Sequence, residues 1–157
     1  DEANNAFFKF ISRNYTSWLK SSASDLPVLS HTLLQEKVFP HLEKGCPLFF
    51  ILIDNLRFDQ WQVIQPALTE LFRLIEEDTF YSILPTSTQY SRNAIFSGLL
   101  PADIQKAFPE EWKHDHEDGG KNMHEESFLR AYLNRTGKKE IKLSNKKLLV
   151  FRSLLVA

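Results

Sequence analysis

Pro47-Leu48-Phe49-Phe50-Ile51-Leu52-Ile53-Asp54-Asn55-Leu56-Arg57-Phe58-Asp59-Gln60-Trp61 is the stretch on which the reading of the fold turns. From Leu48 to Ile53 it is apolar without alternation, the pattern of a strand covered on both faces, as in a parallel sheet flanked by helices. A polar turn follows, and helical spacing resumes at Pro66 with Leu68, Leu71, Phe72 and Ile75. Further on, Phe80, Ser82 and Leu84 alternate with Tyr81, Ile83 and Pro85, which describes a second short strand. It leads through Thr86-Ser87-Thr88-Gln89-Tyr90-Ser91-Arg92-Asn93 into the apolar Ala94-Ile95-Phe96. Two successions of strand, polar turn and helix predict an α/β fold. In open sheets of that class ligands gather beyond the carboxyl ends of the strands, so Asp54 and the Thr86 to Asn93 turn are placed at one edge.

On the N-terminal side, Phe7, Phe8, Phe10, Ile11, Tyr15, Trp18 and Leu19 recur at spacings of three and four, which predicts an amphipathic helix. The Ser21 to Pro27 stretch breaks it. Ser30 is placed to cap a second helix through Glu43, kinked or shortened by Pro40 and ended by Gly45. On the C-terminal side, Asn122 opens a helix through Phe128, Leu129, Tyr132 and Leu133 that ends at Gly137. No internal repeat or low-complexity tract interrupts this succession.

With 157 residues and a formal net charge of -1, the chain is the size of one domain and lacks the basic excess of a nucleic-acid footprint. Trp61 and Trp112 therefore read as packing aromatics before base-stacking platforms. Hydrophobic residues at 43% and charged residues at 25% match an ordinary globular domain and exclude wholesale disorder. The apolar run at Leu48 to Ile53 is far shorter than the ~20 residues a spanning helix needs, so membrane insertion is not expected. The single cysteine, Cys46, forms no internal disulfide and fits a reducing compartment. The only methionine is Met123 and the last residues are apolar, so the chain reads as an internal, truncated fragment.

Asp54 directly follows the buried strand, where a carboxylate is costly to desolvate. Two solutions are open: a metal ion bound there, or a cap on the next helix with Arg57 pairing to Asp59. The hydroxyls of the second turn are open to the same pair of readings. They are helix caps, or one of them is a nucleophile toward a phosphate held at the helix N-terminus.

The segments from Phe49 to Trp61 and from Leu84 to Leu99 resemble the two leading motifs of PglZ domains, members of the alkaline phosphatase superfamily. The resemblance runs from about residue 7 to residue 140. It is closest to PorX-like response regulators, associated with type IX secretion in Bacteroidetes, whose receiver and helical linker precede a PglZ domain. It implies a helical linker segment over 1-45, the N-terminal part of a PglZ domain over 46-143, and a tail of uncertain origin over 144-157. The implied fold is the N-terminal half of an alkaline-phosphatase-like sheet with flanking helices.

The resemblance further implies that Asp54 is a zinc ligand and that Thr88 is both nucleophile and ligand of the same ion. Thr86 is the rival nucleophile; Thr88 stands closer to the helix start. Arg92 and Asn93, one turn into that helix, are assigned to phosphate binding. Two zinc ions are implied for the intact domain, the remaining ligands coming from later in it. His114, Asp115, His116, Glu117, Asp118 and His124 lack the helix-borne spacing of a zinc site and read as an acidic surface loop. The implied activity is zinc-dependent hydrolysis of nucleotide or oligonucleotide phosphodiesters in a cytoplasmic two-component regulator. Its implied partners are a second copy in the phosphorylated parent and secretion-system or sigma-factor proteins. The alternative is a non-catalytic regulatory module that keeps the phosphatase-like fold for protein interaction.

Overall fold

The computed structural model describes residues 1–21, 25–44, 46–112 and 123–146. Among these residues helix dominates and no β-sheet forms. The chain separates into two compact units, Asp1–Ile83 and Leu84–Ala157.

In the first unit α1 spans Glu2–Lys20, as the three-and-four spacing of its apolar residues predicts. It buries no residue fully. Its apolar face instead collects around Tyr81, whose ring lies 6.4 Å from Phe7, 6.3 Å from Phe10 and 4.9 Å from Trp18. Each such aromatic pair contributes about 0.5–1.5 kcal/mol, so Tyr81→Ala is expected to loosen α1 at a cost of roughly 2–4 kcal/mol. Near-UV circular dichroism, which reports the environment of Trp18, reads that loss directly.

The second predicted helix forms in altered geometry. Leu34–Val38 is a wide π turn and Phe39–Lys44 a tight 3₁₀ stretch. Pro40 has no N–H to donate and crowds the preceding turn, which disfavours a regular α-helix through it and leaves π and 3₁₀ turns on either side. Ser30 is not the cap it was expected to be. It is fully buried, and its Oγ accepts the Ile83 N–H at 3.1 Å, while Thr32 Oγ1 accepts the Leu29 N–H at 3.1 Å. Leu29, Leu34, Phe39 and Ile83 form the buried apolar centre of this unit.

His31 sits within this segment, and burial pushes its imidazole below the ordinary value of 6.5, with Glu36 pulling weakly the other way. The folded chain therefore refuses a proton that the unfolded chain accepts. The stabilisation is complete above about 6.5 and is lost as pH falls below it. Melting temperature is expected to drop between pH 7.5 and 5.5, and His31→Gln to flatten that dependence.

The α/β expectation is overturned. Leu48 to Ile53 belongs to no helix and no strand ladder, and Phe49 and Ile51 are 85% and 77% exposed. The second expected strand, around Phe80 to Leu84, is reduced to one parallel bridge between Leu29 and Tyr81, with the Tyr81 N–H donating to the Val28 carbonyl at 2.9 Å. Neither an alkaline-phosphatase-like half-sheet nor any other sheet is present among the described residues. The physical reason is that an apolar run reports a demand for cover, whereas a strand exists only where a second extended segment answers its N–H and C=O groups. Here Ser30 Oγ takes one of those bonds and the aromatic face of α1 covers Tyr81.

The helix expected to resume at Pro66 begins earlier: α2 spans Phe58–Thr69, with Pro66 inside it. Its start is held by Gln60 Oε1, which accepts the Arg57 N–H at 3.0 Å, and by the two-pronged pair of Arg57 with Asp59 at 2.9 and 2.8 Å. Leu71, Phe72 and Ile75 lie beyond its end and are exposed. Lys37 ties down the following stretch through Glu76 at 2.8 Å and Asp78 at 2.6 Å, which holds the Asp78 carboxyl below its ordinary value. Trp61 Nε1 donates to Glu77 at 2.8 Å beside it.

In the second unit α3 spans Thr88–Ser97, α4 Pro101–Ala107 and α5 Glu125–Arg135. Both α4 and α5 pack on α3. Ala94, Ile95, Phe96, Ile104, Phe128, Tyr132 and Leu133 make the core. Phe108 meets Phe128 edge-on at 5.1 Å. Gly98 ends α3 in the left-handed region at φ 64, and Gly137 follows α5 at φ 78, as a helix-terminating glycine should. Asn122, the expected opening of α5, lies outside the described residues. No helix among the described residues is long and apolar enough to cross a membrane.

Candidate functional site

The site residues named from the sequence fall in both units. Asp54 lies in the first, at a turn that follows the irregular Leu48 to Ile53 stretch, and it is exposed. Asn55 beside it adopts φ 60, a left-handed conformation that asparagine tolerates better than most residues, and this reverses the chain before α2. Asp54 does not cap that helix; Arg57 stands at the cap position and pairs with Asp59.

Thr88, Arg92 and Asn93 are brought together on α3 in the second unit. Thr88 is its first residue and is half-buried, and its hydroxyl makes no hydrogen bond among the described residues. The first N–H groups of a helix have no partner within it, and the helix dipole adds partial positive charge there. The loop into α3 is closed by Ser91, whose Oγ donates to the Ser87 carbonyl at 3.2 Å and the Thr86 carbonyl at 3.4 Å. The neighbouring hydroxyl is thus spent on holding the turn, whereas that of Thr88 is not.

Asn93 is fully buried, and its Nδ2 donates to the Gln89 carbonyl at 2.9 Å, a bond within the helix. Arg92, mostly buried, pairs through Nε with Glu125 Oε1 of α5. Glu125 is 2% exposed and is the residue that sequence reasoning missed. Its signal was present: Glu125, Phe128 and Tyr132 fall at i, i+3 and i+7, so a carboxylate shares the apolar stripe of α5 and must meet a cation when that stripe is buried. Arg135 at the other end of α5 donates to the Ser97 carbonyl at 2.6 Å and lies 4.9 Å over the Tyr132 ring, fastening the end of α3.

Among the described residues no group of three or more His, Cys, Asp and Glu side chains gathers as a metal centre would need. Asp54 and Thr88 alone are too few for zinc, which takes about four donors. Of the acidic cluster, His114 to Asp118 lie outside the described residues. His124 precedes α5, its ring 6.4 Å from that of Phe128.

A family model described as the BREX system PglZ alkaline phosphatase-like domain matches residues 33–156. The chain belongs to this PglZ family. The match takes in the Leu48 to Ile53 and Phe80 to Leu84 stretches and all of α2, α3, α4 and α5, so Asp54, Thr88, Arg92 and Asn93 all lie within the PglZ domain. No curated protein matches the chain.

Proposed function

We propose that this PglZ domain belongs to a zinc-dependent phosphoric-ester hydrolase and that Thr88 is its nucleophile. Attack by Thr88 Oγ1 forms an oxygen–phosphorus bond and expels the ester alcohol; water then cleaves that bond and restores the threonine. The observation that carries the reading is the place of Thr88 in a phosphatase-like family member: first in α3, with an uncommitted hydroxyl where N–H groups and the helix dipole favour an anion. Arg92 and Asn93 sit one turn further along, and the guanidinium is proposed to favour the phosphate from that helix face.

Asp54 and Thr88 are the side chains proposed toward zinc. The described residues do not complete a zinc site around them. The substrate class proposed is nucleotide or oligonucleotide phosphodiesters, and the setting a PorX-like regulator of type IX secretion. The motif resemblance over the Phe49 to Trp61 and Leu84 to Leu99 segments supports that setting.

The test is hydrolysis of bis-nitrophenyl phosphodiester with and without added zinc, by the wild type and Thr88→Ala, with an intact PorX-like protein alongside. Zinc-dependent turnover lost in Thr88→Ala supports the reading. Turnover indifferent to the substitution overturns Thr88 as nucleophile and leaves the non-catalytic module as the better account.

A further inference from the structure

The pair between α3 and α5 is unusual in where it lies. Glu125 is buried on the stripe that otherwise carries Phe128 and Tyr132, and it meets Arg92 there. Taking two charges out of water is costly, and well-packed apolar residues in their place are often as stabilising or more so. Cohesion of the two helices alone is therefore a poor account of this pair. What the pair does supply is a fixed guanidinium. Thr88 and Arg92 are four residues apart on one helix and share a face. Long side chains in a helix lean back toward its N-terminus, so the Arg92 charge is carried toward the turn that opens with Thr88.

We infer that Glu125 is a positioning residue for the Thr88 reaction: by holding Arg92 at the α3–α5 contact it fixes a positive charge one turn from the attacking hydroxyl. The inference rests on the reading of Thr88 as nucleophile. A charge held in place before the reaction favours the anion that develops during attack, and a misplacement of about 1 Å can cost about 10²-fold in rate. Glu125 itself touches no reacting atom in this scheme.

The experiment measures kcat and KM for bis-nitrophenyl phosphodiester, with zinc added, in the wild type, Glu125→Gln and Glu125→Asp, each shown folded by circular dichroism. Glu125→Gln is expected to lower kcat by roughly 10²-fold with KM little changed, and Glu125→Asp to recover part of that loss. A purely structural carboxylate would lower the melting temperature and leave kcat per folded molecule intact, which overturns the inference. If Glu125→Gln does not fold, the double change Arg92→Met with Glu125→Leu replaces the pair by apolar packing. A folded double variant with wild-type turnover overturns the inference, and a folded Glu125→Asp with kcat lowered and KM little changed supports it. Absence of threonine-dependent turnover both in this chain and in the intact PorX-like protein assayed alongside removes the nucleophile reading and this inference with it. Thr88-dependent turnover indifferent to Glu125 removes the inference alone.

Discussion

Gly98→Ala is expected to destabilise the second unit by several kcal/mol. Gly98 ends α3 at φ 64, where a side chain alone costs roughly 1–2 kcal/mol. The space is also taken: a Cβ on Gly98 would fall well under 3.0 Å from Cζ, Cε1 and Cε2 of Tyr132. Tyr132 is 2% exposed and has Arg135 stacked over its ring, so the aromatic side chain has nowhere to retreat. Overpacking of that kind adds about 1–3 kcal/mol, for a total of roughly 2–5 kcal/mol. Against a domain stability of about 5–15 kcal/mol this is a large fraction. Gly137→Ala is the internal control. It carries the same left-handed strain at φ 78 but meets nothing within 4 Å, so its loss is expected near 1 kcal/mol. Urea denaturation followed by far-UV circular dichroism separates the two. A Gly98→Ala protein as stable as Gly137→Ala contradicts the close approach of Tyr132.

The second large effect is on activity. Thr88→Ala is expected to lower phosphodiester turnover by roughly 10³-fold or more, the scale seen when a nucleophile is removed from a catalytic unit. The same change should be nearly silent in stability, within about 0.5 kcal/mol, because the Thr88 hydroxyl forms no hydrogen bond among the described residues. Loss of activity with an unchanged melting temperature is therefore the diagnostic combination. Thr88→Ser keeps a hydroxyl and should retain part of the rate, while Thr86→Ala should retain most of it. If Thr86→Ala abolishes turnover and Thr88→Ala does not, the nucleophile is two residues earlier. That register is the one point on which the motif left two candidates.

Individual helices were legible because each is a local event. The spacing of Phe7, Phe10 and Trp18 predicted α1, and the apolar stripe through Phe128 and Tyr132 predicted α5; both form. Pro40 announced the disturbed segment at Leu34 to Lys44, since a missing N–H acts within one turn. The start of α2 was misplaced because side-chain bonds decide it: Gln60 on the Arg57 N–H and Arg57 on Asp59 begin the helix before the apolar spacing shows. At the candidate site, the pattern read Thr86 to Asn93 as a polar turn and the resemblance put Arg92 and Asn93 one turn into the next helix, which in fact begins at Thr88. The commitment of Asn93 to the Gln89 carbonyl and of Arg92 to Glu125 could be read from neither. Glu125 is 33 positions from Arg92 in the chain, and no periodicity links two helices across that distance.

What the amino-acid sequence determined by itself is membership of the PglZ family, readable in the two motif segments, together with the helices whose hydrogen bonds close within four residues. What only the tertiary structure decided is whether the apolar stretches become strands. Leu48 to Ile53 and Phe80 to Leu84 have the composition of sheet interiors, yet among the described residues they make a single bridge. A helix satisfies its backbone from its own next turn, so its pattern suffices to predict it. A strand must find its partner elsewhere, and the identity of that partner is written in no local run of residues.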